Sequence, residues 1–473
     1  MIRLFHTLAL LMITCLAQAQ EQILVEAESF INSGGWVVDP QFVQQMGSPY
    51  LMAHGMGNKV ANASTKIDFK EKGNYHIWVR TKNWAPGNWE APGRFQIAIN
   101  GKKIKKILGT TTPSWSWEYA GTTSIKSKKV EIELIDLTGF NGRCDAIYFS
   151  QENIAPPTSG DKLANWRTDK LGETSEPEKI ENYDLVITGG GIAGCAAAIA
   201  AAEQGLNVAL IHDRPVLGGN ASSEIRVHTL GIYGKYKRIL QLIDTEHYPN
   251  GSFKAKHDQE KRDKNVKQYK NIHLFLNWRA YDAKSDNSVV KYVDARQTAT
   301  GERMRFVAPR FVDSTGDGWI GYWAGADFSY GRESANEYGE AWDEWGELWS
   351  PEEPDNFVMG SSVLWQNEKS EEESSFPELP WAMNIAMGHK AIAGEWYWEF
   401  SRNDLHQIDD AEEIRDHLLR GIYGSFANAK KLEENKYYKL QWVSYLVGKR
   451  ESRRFIGDHI FTFQDVLNHT KFP

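Results

Sequence analysis

Cysteine is scarce in this chain, with three in 473 residues. Cys15 lies in an apolar leader, and the remaining two, Cys144 and Cys195, fall in segments of different predicted architecture. That excludes a disulfide framework, and no four-thiolate spacing exists for an iron–sulfur cluster or a zinc site. The fold must hold by packing. Long apolar runs are also missing. Beyond the leader nothing approaches the roughly 20 consecutive apolar residues of a membrane-spanning helix, and the mean hydropathy is −0.51. An excess of positive charge is missing too. Lys and Arg total 54 against 62 Asp and Glu, a net charge of −8. This argues against nucleic acid or an anionic membrane as partner. There is no internal repeat and no low-complexity block.

What is present begins with the leader. Arg3 supplies a positive start, Leu8 to Leu16 an apolar stretch, and Ala17-Gln18-Ala19 a small-residue cleavage site before Gln20. Residues 1–19 therefore read as a signal peptide, and the protein as exported, periplasmic or secreted. A chain of this length calls for two or three domains.

Residues 20–152 read as all-β. Tyr75-His76-Ile77-Trp78-Val79, Phe95-Gln96-Ile97-Ala98-Ile99 and Val130-Glu131-Ile132-Glu133-Leu134 alternate, and turns such as Asn100-Gly101-Lys102 separate the runs. That pattern predicts a sandwich or jelly roll. Residues 153–181, with Ala155-Pro156-Pro157 and then a charged stretch, read as a linker. From 182 to 473 the pattern is α/β, with a mostly helical stretch expected over about 380–450. Asp184 to Thr188 is a buried-strand run, Ile192 to Gln204 an Ala-rich helix stopped by Gly205, and Asn207 to Ile211 a second strand. This is a βαβ unit.

Between that strand and helix lies Gly189-Gly190-Gly191-Ile192-Ala193-Gly194. Gly189 permits a tight turn, Gly191 lets backbone approach a pyrophosphate, and Gly194 lets helix and strand pack closely. The helix start then offers unpaired N–H groups and a positive dipole end to phosphate. An acidic residue ending the second strand usually binds ribose hydroxyls. Here His212 stands in that place with Asp213 beside it, and either suits a ribose. Residues alone support a dinucleotide site, flavin or nicotinamide.

Further segments narrow this. Leu217-Gly218-Gly219-Asn220-Ala221-Ser222-Ser223-Glu224, Ser314-Thr315-Gly316-Asp317-Gly318, Gly331-Arg332-Glu333 and Gly448-Lys449-Arg450-Glu451-Ser452-Arg453-Arg454 accompany the glycine turn. With them, residues 183–473 resemble the FAD-dependent oxidoreductases of glutathione-reductase-like fold. The resemblance is strongest to a subfamily often fused to carbohydrate-binding modules in polysaccharide-degrading bacteria. It implies an α/β Rossmann-like FAD-binding domain. Gly189, Gly191 and Gly194 would hold the FAD pyrophosphate, Gly218 and Gly219 line its path, and Thr315, Gly316 and Asp317 close over the adenosine side. The family's closing strand and Gly-rich helix start, which meet the flavin end, are not found before Pro473, so this domain reads as incomplete at its C-terminus.

In a flavin enzyme the protein supplies orientation and a proton acceptor. Glu224, Arg226 and His228, shortly after the Gly218-Gly219 turn, are the catalytic candidates; a buried polar network under the FAD loop is the competing role for them. The Arg450–Arg454 cluster reads as an ion-pair network. Trp342, Trp345 and Trp349, at helical spacing in an acidic stretch, fit a core-facing helix or a lid presenting indoles to sugar.

At the N-terminal side, Glu26-Ala27-Glu28 and Asp145-Ala146-Ile147 resemble the opening and closing strands of carbohydrate-binding modules of galactose-binding-like type. That resemblance implies a structural calcium on Glu26, Glu28 and Asp145. Trp84, Trp89, Trp115 and Trp117 lie in loop-like stretches, for stacking on sugar or for loop packing. The combined expectation is an exported FAD-dependent oxidoreductase that acts on a carbohydrate or polyol hydroxyl, with no iron–sulfur cluster. A polysaccharide-lyase-type enzyme, or a non-catalytic carbohydrate-binding scaffold on a degenerate flavin fold, is the alternative.

Overall fold

The computed structural model describes residues 20–173, 175–231, 234, 237–340, 351–394 and 398–472. The leader and the Trp342, Trp345 and Trp349 stretch lie outside the described residues. No helix among those described is long and apolar enough to cross a membrane.

The N-terminal region is a β-sandwich, as the alternation predicts. One antiparallel sheet runs Gln22–Glu26, Ala146–Ser150, Gly73–Thr81, Ser116–Ile125, and a second runs Ala63–Asp68, Lys129–Asp136, Phe95–Ile99, Lys102–Lys103. Along Lys129–Asp136 every second residue is buried, with Val130, Ile132 and Leu134 fully so. They meet Phe69, Ile77, Phe95 and Phe149 in one core. The Asn100-Gly101 turn has φ of 50° and 74°. Two successive left-handed residues give the mirror-image turn that matches strand twist in a two-residue hairpin. A third sheet, Phe140–Cys144, Tyr50–His54 and Val37–Asp39, faces the rest of the molecule.

The segment 153–181 departs from the linker expectation. It contains a helix, Gly160–Leu171, which buries Leu163 against Trp117 and Tyr148. It continues into a strand, Glu178–Ile180, parallel to Arg303–Val307. Periodicity failed here because the key buried residue is charged. Arg167 is only 6% exposed.

Arg167 also corrects the calcium expectation. Glu26 and Asp145 do converge, but on guanidinium groups: Arg167 pairs with Glu26 and with Asp145 at 3.0 Å, and Arg80 with Asp145 at 2.8 Å. Two arginines supply the positive charge a cation would bring. Glu28 is buried beside them, and burial with the neighbouring Glu26 and Asp145 charges pushes its carboxyl well above the usual range. Among the described residues no cluster of three or more His, Cys, Asp or Glu is placed to hold a metal ion.

The second half is built on a four-stranded parallel sheet, Ile272–Leu276, Val208–His212, Leu185–Thr188, Phe311–Asp313, with the helix Ile192–Glu203 packed on it. An antiparallel run, Trp278–Asp286, Val289–Gln297 and Arg303–Val307, packs on its other face through Trp278 and Phe306. The 380–450 stretch is only partly helical. Helices Pro380–Ala386 and Ala411–Ala429 are followed by a strand, Tyr438–Val443, paired with Trp365–Lys369.

The two halves are joined by a continuous interior. Trp84, Ala85 and Phe140 of the sandwich share a core with Trp381, Leu418, Ile422 and Tyr423. Beside it lies a fully buried charge network. Arg143 donates to Glu412 at 2.7 Å and to Asp416 at 2.9 Å, and Arg415 to Asp39 at 2.6 Å and Tyr50 at 2.9 Å. Burial pushes the Glu412 carboxyl up, but Lys82, Arg143 and Arg415 outweigh it and hold the group down to about 2. The loop indoles take the packing alternative: Trp84 donates to the Phe140 carbonyl, Trp89 to that of Ala85, Trp115 to Glu412 and Trp117 to the Pro157 carbonyl.

Candidate cofactor-binding site

The chain does run strand, tight turn, helix at the glycine cluster, and its three key glycines differ in what enforces them. Gly189 has φ of 102°, and a Cβ there would lie 2.1 Å from the Ser314 carbonyl oxygen. A Cβ on Gly194 would lie 1.8 Å from the Gly189 carbonyl oxygen. Both are glycine for the protein's own packing. Gly191 has φ of −68°, open to any residue, and a Cβ there would meet nothing closer than Gly219 Cα at 4.0 Å. Space is kept free at Gly191 by no neighbour of its own.

That space belongs to a cavity of about 480 Å³. Gly189, Gly191, Gly218 and Gly219 form its floor, with His212 and Asp213 at one side and Thr315, Gly316 and Asp317 at another. The Gly218 N–H donates to the Gly190 carbonyl at 2.7 Å, which draws the two glycine segments together. Gly194 stands behind the turn and does not line the cavity. The helix Ile192–Glu203 starts at Gly191 with no side chain capping its N–H groups. An uncapped helix start at the floor of a backbone-lined cavity is suited to a diphosphate.

His212 and Asp213 part company. The His212 ring accepts from the Gly190 N–H through Nδ1 at 3.0 Å and donates through Nε2 to the Val216 carbonyl at 2.9 Å. With both nitrogens engaged it braces the glycine turn and has none left for a ribose, which corrects one of the two ribose candidates. Burial pulls its pKa down to about 4, keeping the ring neutral. Asp213 is held by Arg279 at 2.8 Å, with Arg214 at 3.8 Å. Burial alone would raise its carboxyl, but Arg279, His212 and Arg214 bring it below the usual value. It stays an anion at the cavity wall, placed to accept from ribose hydroxyls.

Asp317 is tied to the late basic segment, accepting from Lys449 at 2.6 Å and from Ser452 at 2.9 Å, while Arg453 donates to its carbonyl at 2.8 Å. The Gly448–Arg454 run thus closes one wall of the cavity, with Lys449, Arg450, Glu451 and Ser452 on it. Arg454 binds Glu451 and Glu333, the ion-pair role expected of this cluster.

Of the three catalytic candidates, one reaches the cavity. His228 lines it, with Nδ1 buried and without a hydrogen-bond partner, its ring 4.6 Å from that of His247. Arg226 does not line it, and this corrects its candidacy. Its guanidinium is held between Phe253 and Trp442 at 4.2 and 3.9 Å, donates to the Ser223 and Gly251 carbonyls, and is drawn down to about 10 by burial. Glu224 likewise lies outside the lining, 3.7 Å from Arg214, and burial raises its carboxyl above the usual value. Arg226 takes the buried polar-network alternative, while Glu224 Oε2 is buried with no hydrogen-bond partner and only the Arg214 ion pair beside it.

Several lining residues carry no local signal. Gln41 and Phe42 come from the sandwich, and Trp278 and Arg279 from the antiparallel run. Only the three-dimensional packing of the halves brings them to the cavity.

The residues present fit a dinucleotide of FAD type: an uncapped helix start, a floor without side chains, and a ribose acceptor with its own counter-charge. A family model described as FAD dependent oxidoreductase matches residues 184–473, more than half of the chain. No curated protein sequence matches. Among solved structures, the chain is similar to L-proline dehydrogenase from P. horikoshii at 21% identity, covering 34% of this chain and 26% of that one, with a TM-score of 0.21. It is similar to a myxobacterial chondrochloren halogenase, an FAD-dependent halogenase, at 14% identity over 41% of this chain and 46% of that one, TM-score 0.26. A family 35 carbohydrate binding module from Clostridium thermocellum is 17% identical over 27% of this chain and 97% of the module, TM-score 0.23. The chain thus spans about a quarter of the dehydrogenase and under half of the halogenase.

Proposed function

On the premise that this chain belongs to the FAD-dependent oxidoreductase family, we propose that it is an exported enzyme oxidising a hydroxyl of a carbohydrate or polyol. The observation that carries an oxidoreductase reading is the backbone-lined space at Gly191, where φ is −68° and a Cβ would meet no protein atom nearer than 4.0 Å, so the protein's own packing does not demand the glycine. Support for an exported, carbohydrate-directed protein comes from the leader and from the sandwich that walls the cavity.

Bound FAD would supply the hydride acceptor. The protein's own work is then to bind, orient and move a proton. The helix start at Ile192 and the Gly218-Gly219 segment hold the diphosphate, and Asp213, fixed by Arg279, accepts from the ribose. His228 Nδ1, buried and unpartnered on the cavity wall, takes the proton of the substrate hydroxyl as its carbon is oxidised. An imidazole suits a proton acceptor near neutral pH.

A visible-absorbance scan of the purified full chain, followed by turnover of aldoses and polyols with an artificial electron acceptor, tests this. A yellow protein that reduces the acceptor with at least one polyol is expected. His228→Asn should keep its flavin and lose about 10²–10⁴-fold in kcat, the usual worth of a positioned base. A flavin-loaded protein that reduces no acceptor across the panel would sink the substrate assignment, and an unchanged kcat in His228→Asn the role of that ring.

A further inference from the structure

A second cavity, of about 510 Å³, adjoins the first, and Arg279 and Trp319 line both. Its walls come from both halves of the molecule. Gln44 and Gln45 belong to the sandwich, Tyr281 and Arg296 to the antiparallel run, and Tyr322 and Trp323 to the short helix Trp319–Ala324. The two cavities share a wall, since Arg279 also holds Asp213 and Arg453 also donates to the Asp317 carbonyl.

We propose that this cavity binds an acidic saccharide unit, a pyranose carrying a carboxylate or sulfate, on aromatic faces flanked by guanidinium groups. The ring platform is pre-formed. Trp319 and Trp323 stack at 5.4 Å with 29° between their planes, and Tyr322, 45% exposed, stands against them. Trp319 is engaged by Trp323 and Arg453, so the half-exposed Tyr322 is the ring left to cover the C–H face of a sugar. The charge is lopsided. Three arginines, Arg279, Arg296 and Arg453, face a single wall carboxylate, Asp409. Arg296 is held by Glu173 at 2.6 Å and Arg279 by Asp213 at 2.8 Å, but neither carboxylate lines this cavity. Arg453 is held by the Asp317 carbonyl and by the Trp319 and Tyr322 rings at 4.5 and 4.1 Å, not by a carboxylate. The buried Arg279 Nε has no hydrogen-bond partner. Guanidinium forks match carboxylate and sulfate oxygens. Thr298 and the Gln45 amide add groups for hydroxyls.

A nicotinamide nucleotide also combines rings with negative charge. The cavity lacks the strand, glycine turn and long helix start with which the first cavity meets a diphosphate, and this favours the saccharide. The inference rests on the proposed function only for the sugar frame of the ligand. Catalysis is not required, because the cavity holds none of the proposed proton-transfer apparatus.

The test is binding to the full chain, read by tryptophan fluorescence and by calorimetry, with D-galacturonate and D-glucuronate oligosaccharides, their neutral counterparts, and NADPH. Saturable binding of the acidic oligosaccharides, weakened by salt, is expected, with neutral sugars at least tenfold weaker. Tyr322→Ala and Arg296→Gln should each weaken acidic binding at least tenfold while flavin content and Tm stay at wild-type levels. Absence of saturable acidic-sugar binding, equal binding by wild type and both variants, or saturation by NADPH alone would overturn it. Acidic-glycan binding without turnover removes only the proposed activity. Sugar turnover with no binding change in the two variants removes only this site.

Discussion

The glycine turn and the junction between the halves are both buried and both polar, yet they are built in opposite ways. The turn presents backbone: Gly191 and Gly219 border a space that no side chain of the protein occupies, and the helix start above it is left uncapped. The junction is crowded. Arg143, Arg415, Glu412, Asp416 and Asp39 pair with one another with almost no solvent exposure. A polar interior lined by backbone with no side chain over it is suited to a ligand, and one filled by paired charges is suited to holding two pieces of protein together. The sandwich belongs to the second kind of interior on one side and lends Gln41 and Phe42 to the first on the other. It is therefore a structural part of the cavity wall.

The widest separation between the two regions is expected from Arg143→Ala. Removing one partner of a fully buried ion network strands the others, at a cost of about 3–5 kcal/mol. Glu412 and Asp416 would keep Lys82 and Arg415 but lose their shortest contacts. Denaturant unfolding should show the midpoint falling, with the flavin released in the same transition because the pocket wall leaves with the sandwich. If flavin release and the unfolding of the sandwich separate into two steps in the wild type, the halves are more independent than this junction implies.

How much of this was legible in the sequence follows the same division. The sandwich, the βαβ unit and the tight packing at Gly189 and Gly194 could be read, because alternation and glycine spacing are local consequences of backbone geometry. The buried charges could not. Arg143 and Arg167 count as polar in any periodicity, so the segment 153–181 looked like a solvated linker when it delivers a guanidinium into the sandwich core. The acidic trio Glu26, Glu28 and Asp145 was found correctly as a cluster, but its counter-charge comes from Arg80 and from Arg167, neither adjacent to any of them in sequence. Arg226 and Glu224 followed a glycine turn closely enough to suggest catalysis. The left-handed φ of 68° at Arg226, which turns it away between two aromatic rings, has no sequence signal.

Acid should strike the turn before the junction. His212 has its pKa lowered to about 4 from the ordinary 6.5, so protonation is disfavoured while it accepts from Gly190. Above pH 6.5 neither the folded nor the opened state carries the proton. Between 6.5 and 4 the opened state takes it and the intact turn does not, so stability falls across that window by up to about 3 kcal/mol. Glu412 responds in the same direction but in a lower window. Its pKa is lowered to about 2, so its contribution is intact above 4.5 and is lost as pH falls toward 2. Flavin retention followed by fluorescence from pH 7.5 to 4 should therefore decline before the far-UV signal of the sandwich. His212→Asn, whose side-chain oxygen can replace Nδ1 as acceptor without titrating, should flatten that decline. An identical slope in the variant would show that the ring does not brace the turn.

The smallest effects discriminate most finely, because they separate two glycines three residues apart. Gly194→Ala drives a methyl group to 1.8 Å from the Gly189 carbonyl, which backbone can relieve only by moving. Overpacking of this kind costs about 1–3 kcal/mol, and Tm should drop whether or not flavin is present. Gly191→Ala meets no atom of the protein nearer than 4.0 Å and needs no unusual φ. It exchanges one helix-starting residue for a poorer one, at a cost of under about 1 kcal/mol. Its methyl group does enter the space where the diphosphate would lie. Apo-protein stability should be nearly that of the wild type, while flavin affinity falls about tenfold, or ~1.4 kcal/mol. Fluorescence titration of the stripped protein with FAD, run beside thermal melts of the same samples, gives both numbers. Should Gly191→Ala bind flavin as tightly as the wild type, the vacancy above Gly191 is no cofactor site, and its resemblance to one is a feature of the turn alone.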